Sequence, residues 1–191
     1  MKKYILIAGV NGAGKSTLYQ STPRLKDMPR VNTDEILKDF GDWKNPQDLF
    51  KAGKMAVSRI SDYFSKGITF NQETTLCGKA ILKNIKKAKE LGYFVELHYV
   101  GVDNVDIAKE RVRHRVQKGG HGIPEADIER RYIETFQQLN LIIEECDLIA
   151  FYDNTKCFRR FAIFKNGKLA KLSNNVPIWF EREIKENHRK I

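Results

Sequence analysis

The segment that most narrows what this chain can fold into is Gly9-Val-Asn-Gly-Ala-Gly14-Lys15-Ser16, between the apolar run Tyr4–Ala8 and a helical pattern that opens at Gly14. It matches GxxxxGK followed by Ser or Thr, in the strand–loop–helix setting that gives the motif meaning. Glycines there let backbone N–H groups turn inward around a phosphate, and the helix start adds partial positive charge to the same place. The segment therefore reads as a P-loop for ATP or GTP. Gly9, Asn11, Gly12, Ala13, Gly14 and Thr17 belong to the cradle, Lys15 reaches the β- and γ-phosphates, and Ser16 ligates Mg²⁺. Asn154, just past the fifth expected strand, is counted with them.

Around this loop, apolar runs alternate with helical patterns, the habit of an α/β protein with a mainly parallel sheet. Strands are expected at Tyr4–Ala8, Arg30–Asn32, Ile68–Gln72, Tyr93–Val102 and Leu148–Tyr152. Helices are expected from Gly14, from Thr33 to Phe40, from Asn45-Pro46 to Ser65 on an apolar face of Leu49, Met55, Ile60 and Phe64, and from Lys79 to Leu91. Two more run over Val105–Gln117 and from Pro124, placed as a first-turn proline, to about Cys146. The Gly119-Gly120-His121 break between them marks a lid. Asn166-Gly167 between two β-rich runs predicts a tight hairpin. From Pro177 a short helix is expected to pack through Ile178, Trp179 and Ile184 and then fray.

The fold class that follows is a three-layer P-loop NTPase/kinase fold with a mainly parallel five-stranded sheet, a helical lid and a C-terminal β-hairpin. Residues 1–153 form its core, including the lid at about 104–146. Residues 154–191 form a hairpin and short helix packed on that core. At 191 residues the chain suits one such domain.

Composition removes several function classes. No apolar stretch approaches the roughly 20 residues that cross a bilayer. The lysines before the first apolar run imitate a signal peptide, but the run is too short and leads straight into the loop. A soluble, cytoplasmic protein without membrane attachment is expected. Cys77, Cys146 and Cys157 form no CxxC pair and read as ordinary small apolar residues, so no disulfide framework or zinc site is expected. The net charge of +10 favours anionic partners, with ten Lys or Arg against three Glu after Asp153.

The P-loop does not say where the phosphate goes. There is no NKxD segment to read guanine, which argues against a GTPase switch. A small-molecule kinase needs a carboxylate across the γ-phosphate to take the proton of the attacking hydroxyl. Asp34, in Asn32-Thr-Asp-Glu35, is the candidate base, with helix capping as its structural alternative. Glu73, on a strand expected beside the first, is the candidate for orienting substrate or a magnesium water. Arg111, Arg113, Arg115, Arg130 and Arg131 flank the lid break, where arginines can fold over a transferring phosphoryl group. Arg111 and Arg115 share a helical face and Arg113 lies off it. His121 reads as a helix cap or phosphate contact on the substrate side before it reads as a proton carrier.

The ordered segments GVNGAGKST, NTDEI, NQETTL, GYFVELHYVGV and RVRHRVQKGGHGIPEADIERRY resemble the zeta toxin family of P-loop kinases and their short chromosomal relatives. The resemblance spans about Lys3 to Tyr152. It implies phosphoryl transfer from ATP with Mg²⁺ to the hydroxyl of a small metabolite, UDP-N-acetylglucosamine being the acceptor of the family's characterised toxins. It also implies Lys15 and Ser16 at the phosphates and magnesium, Asp34 as base, Glu73 and Thr74 on the substrate side, and Arg115 with Arg130 or Arg131 in the lid. An antitoxin protein is the partner it brings.

Two other readings stay open at this level. A polynucleotide kinase or RNA-directed ATPase would use the basic C-terminal segment and its Phe158, Phe161, Phe164, Trp179 and Phe180 to stack on single strands. A nucleotide-dependent interaction module would hydrolyse slowly and present its lid state to a partner.

Overall fold

The computed structural model describes residues 1–185. Seven strands run in chain order as β1 (Lys3–Ala8), β2 (Arg30–Val31), β3 (Phe70–Thr74), β4 (Phe94–Gly101), β5 (Leu148–Asp153), β6 (Arg159–Lys165) and β7 (Lys168–Leu172). They form one sheet in the order β2-β3-β1-β4-β5-β6-β7. The first five are parallel, and β5–β6 and β6–β7 are antiparallel. The expected five-stranded sheet is thus corrected to seven. The Asn166-Gly167 hairpin does form, with Asn166 at φ 49° and Gly167 at φ 74°, but it hydrogen-bonds onto the β5 edge and extends the same sheet.

Helices α1 (Lys15–Ser21), α2 (Thr33–Lys38), α3 (Pro46–Ser65), α4 (Ala80–Glu90), α5 (Val105–Gln117) and α6 (Glu125–Ile142) cover both faces. β1 shows why the sheet must be covered twice. Its alternating Tyr4, Leu6 and Ala8 belong to one buried cluster with α3, α4 and the second half of α6. Ile5 and Ile7 belong to the other, with Leu18 of α1 and Ala108 and Val112 of α5. A parallel strand buried on both faces reads as a continuous apolar run, which is what KYILIA is.

Helix α6 crosses between the layers. Ile128 packs in the second cluster, while Phe136, Leu139 and Ile142 pack in the first. Tyr132, between them, touches both and donates from its hydroxyl to Val102 O at 3.0 Å. The helix therefore passes over the carboxyl end of the sheet, where open α/β folds place their ligands.

Several local expectations are corrected. Pro124 is extended (φ −55°, ψ 138°) and caps α6 from outside its first turn. The inward residues of α3 are Ala52, Ala56, Ile60 and Phe64, and Leu49 is half exposed near the cleft described below. In the terminal turn Ile178 is exposed and Phe180 is buried beside Trp179 and Ile184. The fraying expected beyond it lies outside the described residues. Of the C-terminal aromatics, Phe161, Phe164, Trp179 and Phe180 are all buried, and Phe158 stacks on Tyr152 at 5.4 Å. Cys146 is buried, Cys77 partly so, and Cys157 is exposed.

Candidate active site

The loop after β1 is hemmed in from two directions, by α5 and by Asn154. Gly12 stands at φ 83°, and a Cβ there would fall 2.4 Å from Ala108 O of α5. Gly14 stands at φ 108°, and a Cβ there would fall 2.2 Å from the Asn154 amide. That amide donates to Ala13 O at 2.8 Å. Only glycine fits such close approach at positive φ. Asn154 therefore acts on the backbone of the loop. Lys15 Nζ donates to Gly9 O at 2.9 Å and Val10 O at 3.1 Å, while Ser16 and Thr17 are exposed on the first turn of α1. First-turn N–H groups have no intrahelical partner, which suits an anion.

Lys15 is buried, and burial holds its ammonium below the usual lysine value. Glu73 and Asp34 pull it back up, and Arg115 and Arg131 push it further down. These four charges come from β3, α2, α5 and α6. All four are among the residues named from the sequence, where Arg130 and Arg131 were not distinguished.

Asn32 takes the capping role that competed for Asp34. Its Oδ1 accepts from Asp34 N at 2.9 Å and Glu35 N at 3.4 Å, so Asn32 is the cap of α2. The Asp34 carboxylate, 40% exposed, is left to face the cleft, with His121 Nε2 3.6 Å from its Oδ1. Burial holds the His121 imidazole below its ordinary value; Asp34 opposes this, while Arg115, Lys38 and Arg131 reinforce it.

Glu73 is held at one oxygen. Oε2 accepts from Arg30 Nη2 at 2.6 Å and from Asn32 Nδ2 at 3.1 Å, while Oε1 lies 3.9 Å from Lys15 Nζ. Thr74 follows it, and its Oγ1 accepts from Leu76 N at 3.0 Å where the buried Leu76 turns through φ 64°.

The lid arginines separate. Arg131 Nη1 donates to Asn11 Oδ1 at 3.1 Å and so reaches the P-loop. Arg130, the next residue, turns to Asp127 and Glu134 of its own helix. Arg115 packs under Gly120, and its buried Nε and Nη2 have no hydrogen-bond partner among the described residues. Arg111 Nη2 donates to Asn154 O at 2.7 Å, and Arg113 pairs with Glu125 at the surface.

A cleft of about 1200 Å³ collects Asn11, Lys15, Asp34, Glu73, Thr74, His121, Arg130 and Arg131. Its outer wall adds Trp43, Leu49, Cys77, Gln137 and Gln138, which carried no motif signal in sequence. Trp43 packs on His121 with ring centroids 5.7 Å apart. The volume accepts a ligand beyond a triphosphate. Arg115 stands behind the cleft wall, with its two unpartnered donors buried. The hydroxyl of Ser16 is a hard oxygen donor of the kind magnesium takes. Among the described residues no His/Cys/Asp/Glu group is arranged to hold a metal by itself, and no helix is long and apolar enough to cross a membrane.

Comparison with known proteins agrees with this architecture. A protein of Haemophilus influenzae, described as uncharacterized, is 34% identical over 134 residues, covering 68% of this chain and 92% of its own. Among solved structures, the AvrRxo1-ORF1:-ORF2 complex with ATP is similar at a TM-score of 0.73 and 14% identity, over 90% of this chain and 60% of its own. This chain thus spans less than two thirds of that protein. The PezAT chromosomal toxin-antitoxin system of Streptococcus pneumoniae is similar at a TM-score of 0.63 and 16% identity, over 100% of this chain and 86% of its own. At such identities these structures speak to the fold, which is the α/β P-loop NTPase-like fold. The AAA domain family model matches residues 5–139, and the chain belongs to that family of P-loop proteins.

Proposed function

We propose that this protein transfers the γ-phosphate of ATP to a hydroxyl of a small metabolite seated in the cleft, with a sugar nucleotide such as UDP-N-acetylglucosamine as the leading acceptor. The observation that carries the reading is the meeting of Lys15, Asp34, Glu73 and Arg131 in one cleft large enough for donor and acceptor. A hydrolytic switch needs room for the nucleotide and one attacking water, with no second substrate.

In this mechanism Lys15 and the loop backbone hold the phosphates, and Ser16 would hold Mg²⁺, which neutralises charge on their oxygens. Asp34 takes the proton of the acceptor hydroxyl as its oxygen bonds to the γ-phosphorus. The bond from that phosphorus to the bridging oxygen breaks, and ADP leaves. Arg115 and Arg131 stabilise the negative oxygens in transit, Arg130 borders the acceptor, and Glu73, Thr74 and His121 orient it. Residues 1–153 carry the chemistry of a cytoplasmic enzyme, and the segment from Asn154 supports them by bracing the loop and completing the core. An antitoxin partner belongs to the proposal, supported by the likeness to the PezAT toxin-antitoxin system.

The RNA-directed alternative keeps its basic segment but not its stacking surface, because four of the five aromatics meant for stacking are in the core.

The test is transfer of label from γ-³²P-labelled ATP with Mg²⁺ to a panel of sugar nucleotides, nucleosides and short RNAs. Label on UDP-N-acetylglucosamine is the expected result. Label on another panel metabolite corrects the acceptor, and label on RNA or on nothing rejects the reading.

A further inference from the structure

We propose that Arg30 is a positioning residue that keeps the Glu73 carboxylate from closing on the P-loop lysine, so that Lys15 stays available to nucleotide phosphates. The proposal rests on the P-loop as the phosphate site and is independent of which acceptor follows.

The geometry is specific. Arg30 opens β2, and its side chain is only 8% exposed. Its guanidinium lies over the Tyr19 ring at 3.5 Å, an anchorage on α1 that fixes where the charge sits. From there Nη2 holds Glu73 Oε2 at 2.6 Å and Nε lies 3.2 Å from Glu35 Oε2. One cation thus ties α1, α2 and β3 together behind the cleft.

Glu73 stands between two cations. The nearer is Arg30, helped by the Asn32 amide at 3.1 Å on the same oxygen. The farther is Lys15, 3.9 Å from the other oxygen. Both Glu73 and Lys15 are largely buried, so their attraction is weakly screened. Without the Arg30 charge, Asn32 alone restrains the carboxylate. It then moves onto Lys15 Nζ, which is the ammonium that the β- and γ-phosphates need. An arginine suits this task because one nitrogen of its fork bonds Glu73 while its plane stacks on the Tyr19 ring, which lysine cannot do.

The experiment is a double-mutant cycle on Mg·ATP affinity, measured by isothermal titration on the full chain, with melting curves run on each variant. Arg30→Gln is expected to weaken Mg·ATP about tenfold, because Glu73 then competes for Lys15. Adding Glu73→Gln to Arg30→Gln removes the competitor and is expected to return at least about fivefold of that loss. A merely structural role for Arg30 predicts no such recovery. Arg30→Lys, which keeps the charge without the fork, falls between wild type and Arg30→Gln. If Arg30→Gln does not fold, Arg30→Lys with and without Glu73→Gln carries the same comparison. Unchanged affinity in the Arg30 variant, or a double variant that binds no better than the single one, overturns the proposal. Because only binding is read, absence of phosphoryl transfer in wild type would reject the kinase reading and leave this result standing.

Discussion

Arg131 Nη1 donates to Asn11 Oδ1 at 3.1 Å, and this contact joins α6 to the phosphate loop across 120 positions of sequence. Its neighbour Arg130 is held by Asp127 and Glu134 at the helix surface. Arg131→Ala is therefore expected to lower the turnover rate about 100-fold, the scale of one lost donor at a developing anion. Arg130→Ala is expected to cost less than about threefold, since exposed pairs contribute little. Steady-state kinetics of the two variants side by side checks the difference.

The outer wall makes a second prediction. A Cβ on Gly122 would fall 2.6 Å from a ring carbon of Trp43, so this loop can lie against the cleft only without a side chain there. Gly122→Ala is expected to push the α5–α6 loop away from Trp43 and raise the acceptor KM about tenfold, with the ATP KM changing less. Initial rates at varied acceptor concentration measure it.

How much of this was written in the sequence depends on the range of each interaction. The P-loop was legible because strand, loop and helix are contiguous. The bounds of α5 were legible because Asn104 caps it locally, accepting from Ile107 N at 3.1 Å. Arg30 was invisible because its partner lies 43 residues away and meets it only through the β2–β3 register, Arg30 opposite Asn71. The choice between Arg130 and Arg131 was also hidden. Adjacent helical residues point about 100° apart, so only the packing of Ile128 and Phe136 decides which faces the loop. Ile178, expected to pack inward, is exposed because packing also decides which side of that short turn faces the core.

The opposite layer contains a polar group with a stability role. Burial would push the Glu96 carboxyl up, but His98, whose Nε2 is 2.8 Å away, and Arg24 overcome this and hold it down to about 2. A carboxyl depressed from 4.5 contributes stability that is present above pH 4.5 and lost as pH falls toward 2. The contribution is on the order of 3 kcal/mol. Glu96→Gln is expected to lower stability by a comparable amount at pH 7 and to flatten the acid limb, as read by urea titrations between pH 7 and pH 3.

His121 makes a second contribution that is lost toward acid pH. Its folded-state value lies below the ordinary 6.5, so the unfolded chain binds more protons in the interval beneath 6.5. Its contribution to stability is fully present above that value and is lost as pH falls through the interval. His121→Gln is expected to reduce the drop in melting temperature between pH 7.5 and pH 5.5. Calorimetry of the two proteins at both pH values reads it.

The central claim is that Asp34 takes the proton of an acceptor hydroxyl while the P-loop holds ATP. The most direct measurement is the single-turnover rate of γ-phosphate transfer in wild type and Asp34→Asn, each at saturating Mg·ATP with its dissociation constant measured in parallel. The account predicts a loss of at least about 100-fold in the transfer rate, in the range of general-base catalysis, with the ATP dissociation constant within about threefold of wild type. Equal transfer rates in the two proteins would contradict it.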